Sequence, residues 1–158
     1  MKLSELIVIL SLITIIVFGG IACVKSIVKT DNREMAAAYF DKGNKTLAAE
    51  VDVSGGWTVL DDRSGTAYIS NNKTEKGQEV TALAAPICEK TYYNCVNRSN
   101  IANSHRKEVY GGIIYTNPTG EVTFVKKLGK NDYFQVTAHH ITQAQLQEVV
   151  SRISFKYI

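Results

Sequence analysis

Proline is nearly absent from this sequence of 158 residues, with Pro86 and Pro118 the only two. No proline-rich linker or polyproline recognition tract is therefore encoded. Cysteine is scarce as well: Cys23, Cys88 and Cys95 make three. That excludes a disulfide-dense miniature scaffold and a four-cysteine zinc centre. Neither sign of charge dominates, with 18 Lys and Arg against 15 Asp and Glu, a net charge of +3. The basic residues are scattered, so no nucleic-acid footprint is drawn. No unit of roughly 20–50 residues repeats, and low-complexity tracts are missing. A chain of this length has room for one core plus an extension.

What the sequence does contain is one long apolar run. Leu6 to Cys23 carries no charge and approaches the ~20 residues a helix needs to cross a bilayer core of roughly 30 Å. Glu5 stands at its edge, and Lys25 and Lys29 follow it. The next stretch, "KTDNREMAAAYFDKGNKTLAAEV", is rich in Ala, Glu and Lys. Its apolar Met35, Ala38, Tyr39, Leu47 and Val51 recur at mixed three- and four-residue spacings. That pattern predicts an amphipathic helix continuing the apolar one, loosened at Gly43. The expectation is a single helix over 1–53, apolar and membrane-spanning over 1–24, reaching roughly 75 Å at ~1.5 Å per residue.

From Ser54 the signals change. "SGG" ends the helix, and "WTVL" and "TAYIS" are short β-type runs flanking a "DDRSG" turn. "VTALAAPICEKTYYNCV" reads as partly helical. "IIYTNPTGEVTFVKK" predicts a hairpin and "DYFQVTA" a further strand. "TQAQLQEVVSRI" predicts a short helix with Thr142 as N-cap and Leu146, Val149, Val150 and Ile153 on one face. "ISFKYI" closes as a strand. The fold class read from the sequence is thus α+β: a long N-terminal helix, then a small globular head over 54–158 with an antiparallel sheet and short helices.

Met1, Leu3, Glu5, Leu6, Ile7, Val8 and Ile9 resemble, position for position, the mature amino terminus of type IV pilins and of the related type II secretion pseudopilins. Met1 as first residue is closer to the type IVb subclass. The resemblance covers about 30 residues by motif and the remainder by architecture. It implies a leader removed by a prepilin peptidase, N-methylation at Met1, single-pass residence in the inner membrane, and then assembly into an extracellular pilus. The assembling residues would be Met1, Leu3, Glu5, Leu6, Ile7 and Ile9. A carboxylate at a helix centre in the bilayer costs ~2.5–3.5 kcal/mol. In a stack of identical chains the cation that can recur beside Glu5 is the Met1 amine of a neighbour. The partners implied are further copies in a helical filament, the inner membrane before assembly, and the assembly machinery. Adhesion, aggregation, conjugation and DNA uptake are the roles such filaments serve. A minor pilin or a pseudopilin would share this terminus.

Cys88 and Cys95 fit a short disulfide in an oxidising compartment. A metal site is the poorer alternative, since His105 is the only near third ligand and no metal or other cofactor is expected. "GGIAC" also loosely resembles a lipoprotein processing site with Cys23 as the lipidated residue, and a plain membrane-anchored periplasmic protein is a third reading. Nothing in the sequence spells out catalysis. His139 and His140 are adjacent rather than at the i, i+4 spacing of a helical zinc pair. Ser54, Ser64 and Ser70 lie in no nucleophile elbow. Asp61 and Asp62 precede a glycine turn. The sequence therefore predicts a non-enzymatic structural subunit.

Overall fold

The computed structural model describes residues 28–30, 33–61, 65–72, 79–102 and 105–158. The first half of the expected helix, with Met1, Leu3, Glu5, Leu6, Ile7, Ile9 and Cys23, lies outside the described residues. Its second half is not helical. Val28–Thr30 forms β1, Arg33–Lys42 β2 and Lys45–Asp52 β3. The chain is mostly β, which corrects the α+β reading with its long N-terminal helix.

The reason is visible in β2 and β3. Lys42 pairs with Lys45 across Gly43 and Asn44, with Gly43 at φ +63°. Gly-Asn at the centre of a two-residue hairpin loop is a turn signal, not a loosened helix. In β2 the burial alternates, with Ala36, Ala38 and Phe40 buried and Tyr39 exposed; in β3 Leu47, Ala49 and Val51 face the same core, and Ala48 between them is buried as well. Alanine favours helices when nothing else decides. Here the period of two and the turn override it.

The remaining strands are β4 (Trp57–Asp61), β5 (Ala67–Asn71), β6 (Val80–Ile87), β7 (Arg106–Val109), β8 (Gly112–Thr116), β9 (Val122–Lys127), β10 (Tyr133–Ala138) and β11 (Ile153–Tyr157). Among the described residues the helices are α1 (Glu89–Ala102) and α2 (Gln143–Ser151). The strands around "DDRSG", the "TNPTG" hairpin and the "DYFQVTA" strand fall where the sequence puts them, and so do α2 and the closing strand, except that Ile153, expected on the apolar face of α2, opens β11 opposite Val51. "VTALAAPI" is strand rather than helix, and α1 begins only after it.

All pairings are antiparallel and form two sheets, β1-β2-β3-β11 and β4-β5-β6-β10-β9-β8-β7. Alternate residues divide the larger sheet between two cores. Ile114, Val122, Phe124, Phe134, Val136 and Ala138 point to one side, where the smaller sheet and α2 pack. Ile113, Tyr115 and Val125 point to the other, where Cys95 and Tyr92 of α1 meet them. With both faces covered, β9 reads as continuously buried from Val122 to Val125. Phe134 joins the sheets, with Phe40 at 5.6 Å and Phe155 at 4.7 Å between ring centroids, both edge-on.

Polar contacts fasten the periphery. Thr142 caps α2 in a full capping box with Gln145. Arg152, at the other end of α2, donates to the carbonyls of Asp52 and Ser54 and lies 5.0 Å from the centre of the Trp57 ring. Asp132 accepts from Lys42 Nζ at 3.1 Å and from the Tyr157 hydroxyl at 2.6 Å, tying the β2–β3 hairpin, the β9–β10 loop and β11 together. No helix among the described residues is long and apolar enough to cross a membrane.

Candidate binding cleft

An open cleft of about 1000 Å³ lies where α1 ends and the β8–β9 turn begins. Arg98 and Ile101 reach it from α1, His105 from the approach to β7, and Thr116, Asn117, Pro118, Thr119 and Glu121 from the turn. The turn is built by its sequence. Asn117 donates its backbone N–H to the Glu121 carbonyl at 2.8 Å, Gly120 donates back to the Asn117 carbonyl at 2.9 Å, and Gly120 takes φ +81°.

Glu121 is the hub. Its Oε1 accepts from Asn117 Nδ2 at 2.8 Å and from Thr123 Oγ1 at 3.1 Å, and its Oε2 lies 3.2 Å from His139 Nε2. Both oxygens are thus engaged within the fold. Gln143 Nε2, at the start of α2, donates to Thr116 Oγ1 at 3.0 Å and to the His105 carbonyl, which fixes the wall behind the turn. What the cleft offers a ligand is the Arg98 guanidinium, hydroxyl donors, and the apolar surface of Ile101, which is 84% exposed, beside Pro118. Among its described lining residues there is no serine or cysteine nucleophile. Groups of three or more His, Cys, Asp or Glu able to hold a metal are also absent among the described residues.

The cysteines occupy different places. Cys88 is exposed and Cys95 buried, both as free thiols, so the expected Cys88–Cys95 disulfide is not formed. The intervening "EKTYYN" is helix. A separation of seven residues along a helix is about 10 Å, beyond the ~7 Å limit for bridging Cα atoms. Cys88 accepts the first helical bond from Tyr92 N–H, and its Sγ lies 3.2 Å from Thr91 Oγ1. The Thr91 hydroxyl, with backbone N–H groups behind it, lowers the Cys88 thiol below its ordinary range. Cys95 packs with Tyr115. Burial, then the hydrogen bond shared with Cys95, pushes the Tyr115 hydroxyl far above the usual tyrosine range.

His139 and His140 sit between β10 and α2, rings 6.3 Å apart, with His140 at φ +60°. The structure brings His139 to Glu121, a pairing across two strand ends that local sequence does not signal. Arg98, Thr116 and Glu121 likewise meet only through the fold. Comparison with protein families, with curated proteins and with solved structures finds no match for this chain.

Proposed function

We propose that the chain is a membrane-anchored, non-catalytic head whose role is to hold a ligand or partner close to the bilayer. One observation carries this: the apolar run ends at Cys23 and the first strand, β1, begins at Val28. The described β-structure starts shortly after the stretch apolar enough to enter a membrane, with no helical stalk among the described residues between β1 and β4. The Arg98–Glu121 cleft supplies the recognition surface. Carbonate extraction of membranes carrying the full chain tests the anchor. The chain is expected to stay in the pellet, and deletion of residues 1–27 is expected to release a folded, monomeric head. Full extraction of the intact chain by carbonate would overturn the proposal.

A second reading rests on Glu5. A carboxylate at the rim of an apolar segment is costly to bury alone and is suited to register identical chains side by side through a cation on a neighbour. Under this reading the same segment moves from lipid into the core of a pilin-like filament, and the β head forms its shell. Glu5→Ala then leaves membrane insertion intact but abolishes polymers, as read by electron microscopy of sheared cells. Intact mass separates both readings from lipidation at Cys23, which would remove residues 1–22.

A further inference from the structure

One row of side chains crosses the larger sheet from its β4 edge. Leu60 stands opposite Tyr68, Tyr68 opposite Leu83, and Leu83 opposite Thr137, so the four share a face. The row runs on through Thr123 to Tyr115, which packs with Cys95 of α1. Among the described residues nothing covers it over β4, β5 and β6: Leu60 is 60% exposed, Tyr68 36% and Leu83 38%. The opposite face of the same strands is closed, with Val59, Ile69 and Ala82 buried. The next row on the open face is Thr58, Ser70 and Thr81, and the Thr58 and Ser70 hydroxyls lie 2.9 Å apart. Over these three strands neither row carries a charge, in a sequence 21% charged.

Size and position select what covers this face. Two rows over three strands make a footprint of roughly 200 Å², at ~4.8 Å between strands and ~3.3 Å per residue. A stable dimer needs about 800 Å² from each partner, so a second copy gains too little here. A bilayer surface needs no such area once the chain is tied to it, because the tether supplies the local concentration. The tether joins the head at this corner. β1 lies antiparallel to β2 with Val28 opposite Met35 and Thr30 opposite Arg33, so its N-terminal end points along β2 toward Tyr39. β3 holds the other edge of β2. Four residues past Met35, the Tyr39 N–H donates to Asp61 Oδ2 at 3.4 Å, and Asp61 follows Leu60 in β4. Five residue steps separate Val28 from Cys23, the end of the apolar run, a reach of at most about 18 Å. Tyrosine between two leucines, bordered by hydroxyls, suits a membrane interface, where the ring sits at headgroup level and aliphatic groups reach the acyl boundary.

We infer that the Leu60–Tyr68–Leu83 row lies against the headgroup–acyl boundary of the bilayer, and so orients the head on the membrane. The docking rests on the anchor proposed above. The test uses the full chain carrying Leu60→Trp, one copy per nanodisc, in phosphatidylcholine with or without bromine on the acyl chains. Bromine quenches an indole only at short range. The native Trp57 is buried in the core between the sheets and serves as the reference. The emission added by Leu60→Trp is expected to fall by more than half in brominated discs, while the unaltered chain loses little. Adding Tyr68→Glu puts a charge in the middle of the row and is expected to restore the emission. Both positions are exposed, so neither substitution disturbs the core. A chain that elutes with the disc but keeps full emission in bromolipid overturns the docking alone, and so does quenching that survives Tyr68→Glu. A chain that elutes apart from the disc overturns the anchor, and the docking with it. Shielding from acrylamide without quenching by bromine assigns the row to another protein surface, a second copy included, and overturns the docking too.

Discussion

Gly112 shows how little room a single position has. A Cβ there would lie 2.5 Å from the Val125 carbonyl oxygen and 2.6 Å from the Phe124 ring, neither of which is the free end of a flexible chain. Gly112→Ala is expected to cost about 1–3 kcal/mol, as overpacking does, and chemical denaturation of the head measures it. In the sequence, "YGG" reads as isolated glycines. Which glycine answers to the turn and which to packing emerges only when β8 lies against β9. The same limit applies to the cleft. "TNPTG" is legible as a turn, but that Glu121 gathers Asn117, Thr123 and His139 depends on a strand end and a β10–α2 junction meeting in space. Cys88 and Cys95 are the opposite case, a pair close in sequence that the helix holds apart.

Secondary elements were legible wherever a local device fixed them. Thr142 with Gln145 three residues on is a capping box, and α2 begins there. Thr142→Ala is expected to destabilise the head by about 1 kcal/mol, within the ~0.5–2 kcal/mol span of such caps, whereas Thr142→Ser should be close to neutral. Thermal unfolding of the three proteins side by side checks this. The hairpins with glycine turns and alternating strands were equally readable. The β2–β3 hairpin was not, because its alanines satisfy helical and strand spacing alike, so that only Gly43-Asn44 decides between them. α1 was blurred for the converse reason: the strand before it, β6, carries alanines and a leucine that favour helices as well. The apolar face it buries is short, consisting chiefly of Tyr92 and Cys95 against Tyr115 and Val125.

Across the whole molecule, stability is expected to form a plateau bounded by two titrations. The Tyr157 hydrogen bond, then Lys42, holds the Asp132 carboxyl below its ordinary value of 3.8. Its contribution is therefore present above that value and is lost as pH falls through the depressed one. Tyr157 is pushed up to about 12 by burial and by the Asp132 bond, from an ordinary 10.0. Its contribution is full below pH 10 and disappears as pH rises toward about 12. Tyr157→Phe should move the acid midpoint of unfolding to higher pH and flatten the alkaline limb; circular dichroism across the pH range reads both. The same end of the molecule sets the timetable of synthesis. β3 finds its second neighbour in β11, with Ile153 opposite Val51 and Tyr157 opposite Leu47. At translation rates of about 5–20 residues per second, an early strand waits several seconds for the late strand that covers its edge. During that interval β3 is an open template for the same strand of a neighbouring nascent chain. Crowded polysomes, rather than the finished protein, are where aggregation of this chain would begin.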